Sequence, residues 1–276
     1  KQMLNINTNI LSLTTQTNLS GSQSALSQAI NRLSSGKRVN TAADDAAGLA
    51  ISTTQTAAIN ALTQGVANAN NGISMIQTAA GALQSTVDNL QRIRTLAVES
   101  GDGSLDSNAR ANLQAEVTTR LGEIDRVATQ TTFNGQTILS NAGNVTFQVG
   151  ASANQTVAVN FGATVWTSTG AGLSLSGLTV SDQTSAQSAI TAIDTALKNV
   201  NTFQATLGAA QNTFQAAITT TQTQATNMSA ARSQITDADF ATETANLSKA
   251  QVLQQAGISV LAQANSLPQQ VLKLLQ

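Results

Sequence analysis

The side chains that could do acid–base or metal chemistry are few, and the aspartates closest to one another form two pairs. Asp44 and Asp45 are adjacent, and Asp237 and Asp239 are two residues apart. Two neighbouring carboxylates could share a proton or hold a hard cation. Adjacent helical residues diverge by about 100°, however, and an acid in the first turn stabilises a helix N-terminus. We therefore expect these four aspartates to act as helix caps.

The chain offers little else for catalysis. Its 276 residues include no Cys, His or Tyr, and 10% of them are charged, with a net charge of −1. Without imidazole or thiolate groups, triad hydrolases and zinc proteases are excluded. We predict a protein that is not an enzyme, with no catalytic residue, no cofactor and no metal site. The charge balance also argues against a nucleic acid partner.

No segment has the roughly 20 consecutive apolar residues that a membrane span needs, so we expect no membrane insertion. The first residues also lack the basic and apolar regions of a cleaved signal peptide. If the protein is secreted, we expect it to be exported without one.

Apolar residues recur every seven positions in two distant segments. This period keeps one seam of a helix facing a partner helix, as in coiled coils. We predict long helical rods at about 41–99 and 184–235. The repeat falls on Leu62, Ala69, Ile76, Leu83, Leu90 and Ala97 in the first rod, and on Ile193, Val200, Leu207, Phe214, Thr221, Met228 and Ile235 in the second.

Weaker helical spacing marks both ends of the chain. A helix over 4–33 should stop at Gly36, since glycine adopts the left-handed conformation that ends helices. Thr41 with Asp44 resembles a capping box, which predicts that the first rod begins at Asn40 or Thr41. Thr236 with Asp239 predicts the start of the last helix in the same way.

The middle of the chain changes period. A shorter amphipathic helix is expected from about Leu105 to Val127, followed by a β-hairpin over 145–149 and 157–161, where apolar residues alternate. Residues 162–182 should form short strands and turns. The predicted fold is mainly α, with long coiled-coil-like helical rods, a small β-hairpin-rich region, and N- and C-termini paired in a terminal helical layer.

Segments at both ends and in the first rod carry a specific combination of motifs. They are LNINTN at 4–9, RLSSGKRVN at 32–40, AADDAAGLAI at 42–51, LQRIRTLAV at 90–98, FNG at 133–135, AQVLQQAG at 250–257 and QANSLP at 263–268. The combination covers nearly the whole chain and closely resembles bacterial flagellin. The resemblance is to a short form that lacks the large outer variable domains.

The resemblance implies a structural subunit that polymerises into the helical filament used for swimming. Residues 1–40 and 236–276 would form an inner coiled-coil domain that orders on polymerisation, and 41–142 plus 183–235 a helical rod domain. Residues 143–182 would be a β-rich stub of the rod domain. We expect filament inner-core packing by the apolar residues Ile6, Ile10, Leu26, Leu33, Leu253, Val260 and Leu267.

Arg92 and Leu96 lie on the side of the first rod roughly opposite its seam. Leu96 could pack against another helix of the same subunit or against a lattice neighbour. The resemblance adds another interpretation, because Arg92, Leu96 and Glu116 match positions where flagellins contact the host flagellin-sensing Toll-like receptor. Innate immune recognition is therefore an alternative role for this face.

The implied partners are other copies of the chain, an export chaperone, the filament cap, hook-junction proteins and the host receptor. The implied location is the secreted, extracellular bacterial flagellum. A second hypothesis is a hook–filament junction protein, or a cell-surface homologue that acts as an adhesin or glycan-binding receptor.

Overall fold

The computed structural model describes residues 8–140, 143–161 and 165–274. The chain divides into two compact units, and the boundary between them falls inside two long helices. The terminal unit contains the described residues up to Ala57 and those from Asn227 onward. The central unit is Ala58–Thr226. No helix in the described part of the chain is both long and apolar enough to cross a membrane.

Five helices dominate the described residues, which confirms the predicted fold class. Helices α2 and α4 are the two predicted rods, of 55 and 54 residues. Their ends near 100 and 183 agree with the sequence pattern. The helices are α1 (Ile10–Ser35), α2 (Ala46–Ser100), α3 (Ser107–Gln130), α4 (Gln183–Thr236) and α5 (Phe240–Leu274).

In the terminal unit, α1 and α5 pack against each other, as expected for paired termini. The predicted stop at Gly36 is confirmed, since this residue has a φ of 69° and caps α1. Immediately beyond Gly36, the segment that follows α1 pairs with the segment between α4 and α5. Arg38 N donates to Thr236 O at 2.7 Å, and Ala238 N donates to Gly36 O at 3.0 Å. These bonds anchor the base of the α1–α5 pair.

The predicted start of α2 is wrong by several residues. The carboxylate of Asp44 accepts from Thr41 N at 2.9 Å and from Thr41 Oγ1 at 3.0 Å, and so closes a turn ahead of the helix. Asp45 caps the helix, because its Oδ1 accepts from Gly48 N at 2.8 Å. The capping-box spacing therefore marked a turn that precedes the helix.

The second predicted capping box is also wrong, because Thr236 is the last residue of α4. Asp239 alone caps α5, accepting from Ala241 N at 3.0 Å. Asp237 caps no N-terminus, since its carboxylate accepts from the hydroxyls of Ser233 at 2.6 Å and Thr236 at 2.9 Å. Of the four aspartates expected to cap helices, Asp45 and Asp239 do so.

In the central unit the seven-residue seams are buried, as predicted. Every seam position from Leu62 to Ala97 in α2 is buried, as is every one from Ile193 to Thr221 in α4. The core that they join also contains Val117 and Ile124 of α3. The seven-residue period thus identified the inward side of both long helices.

The predicted β-hairpin is present as β3 (Asn144–Gln148) and β4 (Thr156–Asn160), paired antiparallel with Val145 opposite Val159. A smaller hairpin, β1 (Thr132–Phe133) and β2 (Gln136–Thr137), turns at Asn134 and Gly135, both with positive φ. The larger hairpin packs on α4 through an edge-to-face contact of Phe147 and Phe214, with ring centroids 5.4 Å apart.

Residues 165–182 form turns and bends, so the expected short strands are wrong for this stretch. Side chains of the helices hold it instead. Asp125 accepts from Ser168 N at 2.6 Å, and Asn199 donates to Gly172 O at 3.0 Å. Trp166 is buried and stacks on Phe203 with ring centroids 4.7 Å apart.

Candidate functional site

The α1–α5 pair has a narrow inner seam of small side chains. Ala29, Ala250 and Ala264 are buried there. A Cβ added at Gly257 would lie 3.2 Å from Leu19 Cδ1, which shows how closely the helices approach. The fully buried positions of the pair are therefore small, and leucines such as Leu19, Leu26 and Leu33 are partly buried around them.

The remaining surface of the pair is unusually apolar. Large hydrophobic side chains stay about half exposed along both helices, with values from 39% for Leu267 to 64% for Val252. So many exposed apolar side chains along two packed helices mark a candidate interaction site. We call these residues the terminal apolar surface; they are Ile10, Leu11, Leu13, Ile30, Phe240, Val252, Leu253, Ile258, Val260 and Leu267.

The structure distributes the predicted inner-core residues over two environments. Ile10, Leu253, Val260 and Leu267 belong to the terminal apolar surface, whereas Leu26 and Leu33 are half-buried. Ile6 lies outside the described residues. Sequence reasoning did not assign the other members to inner-core packing. Leu13, Ile30 and Phe240 lie on the helical spacing that was followed, whereas Leu11, Val252 and Ile258 fall off it. Their apolar type alone was the available signal.

Arg92 and Glu116 form a bidentate ion pair between α2 and α3. Arg92 Nε donates to Glu116 Oε1 at 2.8 Å, and Nη2 donates to Oε2 at 3.0 Å. The two side chains are 45% and 35% exposed. The guanidinium lowers the pKa of the Glu116 carboxyl below its usual value through these hydrogen bonds, and the carboxylate raises the pKa of Arg92.

Further charges continue from this pair along α3. Arg120 Nη2 lies 3.8 Å from Glu116 Oε1, and Arg126 pairs with Glu123 at 2.5 Å. Alternating signs at helical spacing make a solvated, neutralised surface. It could offer a partner both donors and acceptors.

Leu96 is fully buried in the core of the central unit. The structure therefore supports the interpretation in which it packs within its own subunit. Of the three residues predicted for receptor recognition, only Arg92 and Glu116 present side chains to solvent. Leu96 lies one helical turn from Arg92.

The carboxylates of the acidic pairs accept hydrogen bonds near helix ends. Asp44 and Asp239 have pKa values lowered by hydrogen bonds from backbone and hydroxyl groups near helix starts, and the hydroxyls of Ser233 and Thr236 lower that of Asp237. Within residues 8–140, 143–161 and 165–274, no three acidic side chains converge as metal ligands would.

Comparison with known proteins identifies the family to which the chain belongs. A model of the bacterial flagellin N-terminal helical region matches residues 6–144, and one of the C-terminal helical region matches residues 190–275. The chain belongs to the bacterial flagellin family. Flagellins are structural proteins that polymerise, so membership makes this chain a structural subunit of the flagellar filament and not an enzyme.

Whole-length relatives agree with this assignment. A flagellin of Xenorhabdus nematophila is 41% identical, over 98% of this chain and 99% of the relative. The flagellar filament 33 kDa core protein of Treponema phagedenis is 37% identical over the same shares. The crystal structure of Bacillus cereus flagellin matches with a TM-score of 0.51 and 26% identity, covering 60% of this flagellin and 94% of that chain.

Proposed function

We propose that the terminal apolar surface is buried against neighbouring copies when this flagellin polymerises. The observation that carries the proposal is the exposure of Ile10, Leu13, Val252 and Val260, each about half exposed or more in the single chain. Full burial of such a side chain is worth about 1.5–3 kcal/mol relative to exposure. Summed over the surface, burial between copies adds a driving force to that of the α1–α5 seam.

The proposed inner layer is residues 1–40 with 236–276, and the proposed next layer is 41–142 with 183–235 and the stub 143–182. The apolar residues of α1 and α5 support an inner position for the first of these. Contacts between different surfaces of identical copies repeat without closing, so they build a helical tube. The filament therefore grows by addition of copies, with no chemical step.

A charge placed on the terminal apolar surface tests the proposal. Val260→Asp should abolish seeded polymerisation, because each added copy would bury an unpaired carboxylate. Val260→Ile is the matched control, since it keeps an apolar, β-branched side chain at the same position. Electron microscopy and pelleting after reassembly measure the filaments, and circular dichroism checks that both variants remain helical.

Normal filaments from Val260→Asp would remove this surface from the interface. Persistent monomers of the unsubstituted chain with seeds present would favour the junction-protein or surface-receptor role instead.

We also propose that the exposed ion pair of Arg92 and Glu116 contributes to recognition by a flagellin-sensing Toll-like receptor. A bidentate pair with 45% and 35% exposed side chains can exchange its bonds for those of a partner. Leu96 would hold the backbone of α2 in place and not touch the receptor. This assignment gives the three predicted residues two different roles.

Reporter cells can test the recognition proposal with a matched pair of arginines. Arg92→Ala should reduce signalling at least tenfold. Arg94→Ala should not, although Arg94 is also 45% exposed and also pairs with a carboxylate, that of Asp194 at 2.7 Å. Equal signalling by the two variants would contradict a role for Arg92.

The remaining partners follow from the same apolar surface. Before assembly, exposed side chains such as Val252 and Leu253 need shielding, which supports an export chaperone as a partner. Cap and hook-junction proteins would meet the same helices at the ends of the filament. We propose export to the cell exterior without a cleaved signal peptide, and co-purification of an unassembled copy with a small partner would test the chaperone step.

A further inference from the structure

The two helices of the terminal pair carry almost no charge. Helix α1 has one charged residue, Arg32, and α5 has one acidic residue, Glu243. The other charged residues of α5 are Lys249 and Lys273. All other side chains of α1 and α5 are neutral.

Arg32 and Glu243 meet in the seam between the helices. Arg32 Nη1 lies 3.9 Å from Glu243 Oε2, and the side chains are 25% and 10% exposed. This is the only ion pair among the described residues of the terminal unit. Arg32 Nε is buried without a hydrogen bond, so the guanidinium depends on the nearby carboxylate for compensation.

The rest of the seam is neutral, and its polar contacts are hydrogen bonds near the other end of the pair. Asn9 Nδ2 donates to Ala264 O and Ser12 Oγ donates to Asn265 Oδ1, both at 2.8 Å. The buried positions of the seam are small residues such as Thr15, Ala29, Ala250 and Ala264, which fit against many helices. A helix α1 could therefore pack on α1 of another copy, or α5 on α5, at little steric cost.

We infer that the partly buried Arg32–Glu243 pair selects the correct α1–α5 pairing over α1–α1 and α5–α5 pairing between copies. A wrong α1–α1 contact would leave each guanidinium without the Glu243 carboxylate, and a wrong α5–α5 contact would place Glu243 carboxylates in the seam without a guanidinium. Removing the partner of a buried charge is far more costly than replacing both charges by apolar groups. Specificity of this kind comes from penalising the alternatives.

The inference deepens the proposed function, because it concerns copies brought together for polymerisation. It is measured during seeded polymerisation, because the terminal helices are expected to order as copies add. The sequence contains no cysteine, so Ala29→Cys places a single thiol in the α1 seam. Oxidation with copper phenanthroline then links two copies only where α1 lies against α1, since a disulfide requires Cα atoms within about 7 Å.

The decisive comparison is the disulfide-linked dimer fraction with and without the ion pair, in Ala29→Cys chains matched in concentration. Arg32→Met with Glu243→Leu should raise that fraction at least threefold, while circular dichroism shows unchanged helix content. The charge exchange Arg32→Glu with Glu243→Arg should keep the fraction close to that of the chain with the native pair. Glu243→Arg alone is included as the variant with two like charges in the seam. Asp44, which also interacts with Arg32, is present in every variant.

Equal dimer fractions in the native-pair and apolar-pair chains would overturn the inference. So would a high dimer fraction in the charge exchange. Neither result touches the proposed function, which fails only if the unsubstituted chain does not form filaments with seeds.

Discussion

Arg92 and Leu96 are one helical turn apart on α2, yet their surroundings differ completely. Arg92 is 45% exposed and ion-paired, whereas Leu96 is fully buried. The seven-residue repeat predicted the inward side that contains Leu90 and Ala97. It could not predict a second buried side, because α3 contributes to the same core from elsewhere in the sequence. Side-chain type was therefore a better guide to burial at Leu96 than its place on the helix.

The burial of Leu96 predicts a stability effect that any signalling assay must allow for. Leu96→Ala should lower the free energy of unfolding by about 2–5 kcal/mol, because it leaves a cavity in the core. Val98→Ala, at a 52% exposed position of the same helix, should change it by about 0.5 kcal/mol or less. Urea unfolding followed by circular dichroism measures both, and equal effects would contradict the packing described for Leu96.

The Arg92–Glu116 pair predicts a dependence of stability on pH. The pKa of Glu116 is lower in the folded chain than in the unfolded chain, chiefly through its hydrogen bonds from Arg92. Its contribution is therefore present above the unfolded value of about 4.3 and is lost as the pH falls through the folded value. Glu116→Gln should flatten the fall in Tm below about pH 4.5.

The control for this titration is Asp88→Asn, at an exposed α2 carboxylate bonded to the amide of Gln84 and not to a guanidinium. The role of the ion pair would be contradicted if the curve of Tm against pH for Glu116→Gln ran parallel to that of the unsubstituted chain down to about pH 3.

At the scale of elements, the long helices and the larger hairpin were predictable, whereas helix starts and the 165–182 stretch were not. Periodicity reports which side of an element is buried, and both rods and the β3–β4 hairpin have clear periods. Capping depends on which carboxylate reaches which backbone N–H, and Asp44 and Asp45 are both suitable by type. The 165–182 stretch is held by Asp125 and Asn199, which are distant in sequence.

Two glycines of α2 should respond oppositely to the same substitution. A Cβ at Gly72 would lie 2.6 Å from the Phe214 ring, so Gly72→Ala should cost about 1–3 kcal/mol by overpacking the rods. Gly81 has open space around it, so Gly81→Ala should stabilise by up to about 1 kcal/mol through helix propensity. Thermal unfolding measures both variants. A shift of both Tm values in the same direction would contradict the close contact at Gly72.

At the scale of the whole molecule, low charge is the property that most separates this chain from an average soluble protein. Only 10% of residues are charged, and the surface proposed to join copies is apolar. Charges on identical copies stacked in a filament would meet their own kind at short range. A neutral surface avoids that repeated repulsion.

Assembly should therefore respond weakly to ionic strength. Raising NaCl from 50 to 500 mM should change the critical concentration of seeded polymerisation by less than about threefold, because salt screens ionic contacts and not apolar ones. Pelleting across a concentration series measures it. A tenfold or larger increase with salt would show that ion pairs between copies dominate the filament contacts.

Trp166 gives the molecule an intrinsic optical label for one of its units. It is the only tryptophan, the sequence has no tyrosine, and the indole is buried against Phe203 in the central unit. Emission excited at the red edge of the aromatic band therefore arises from Ala58–Thr226 alone. Far-ultraviolet dichroism sums over every helix, so a change in dichroism without a change in emission reports melting or ordering of the terminal unit, with no dye attached.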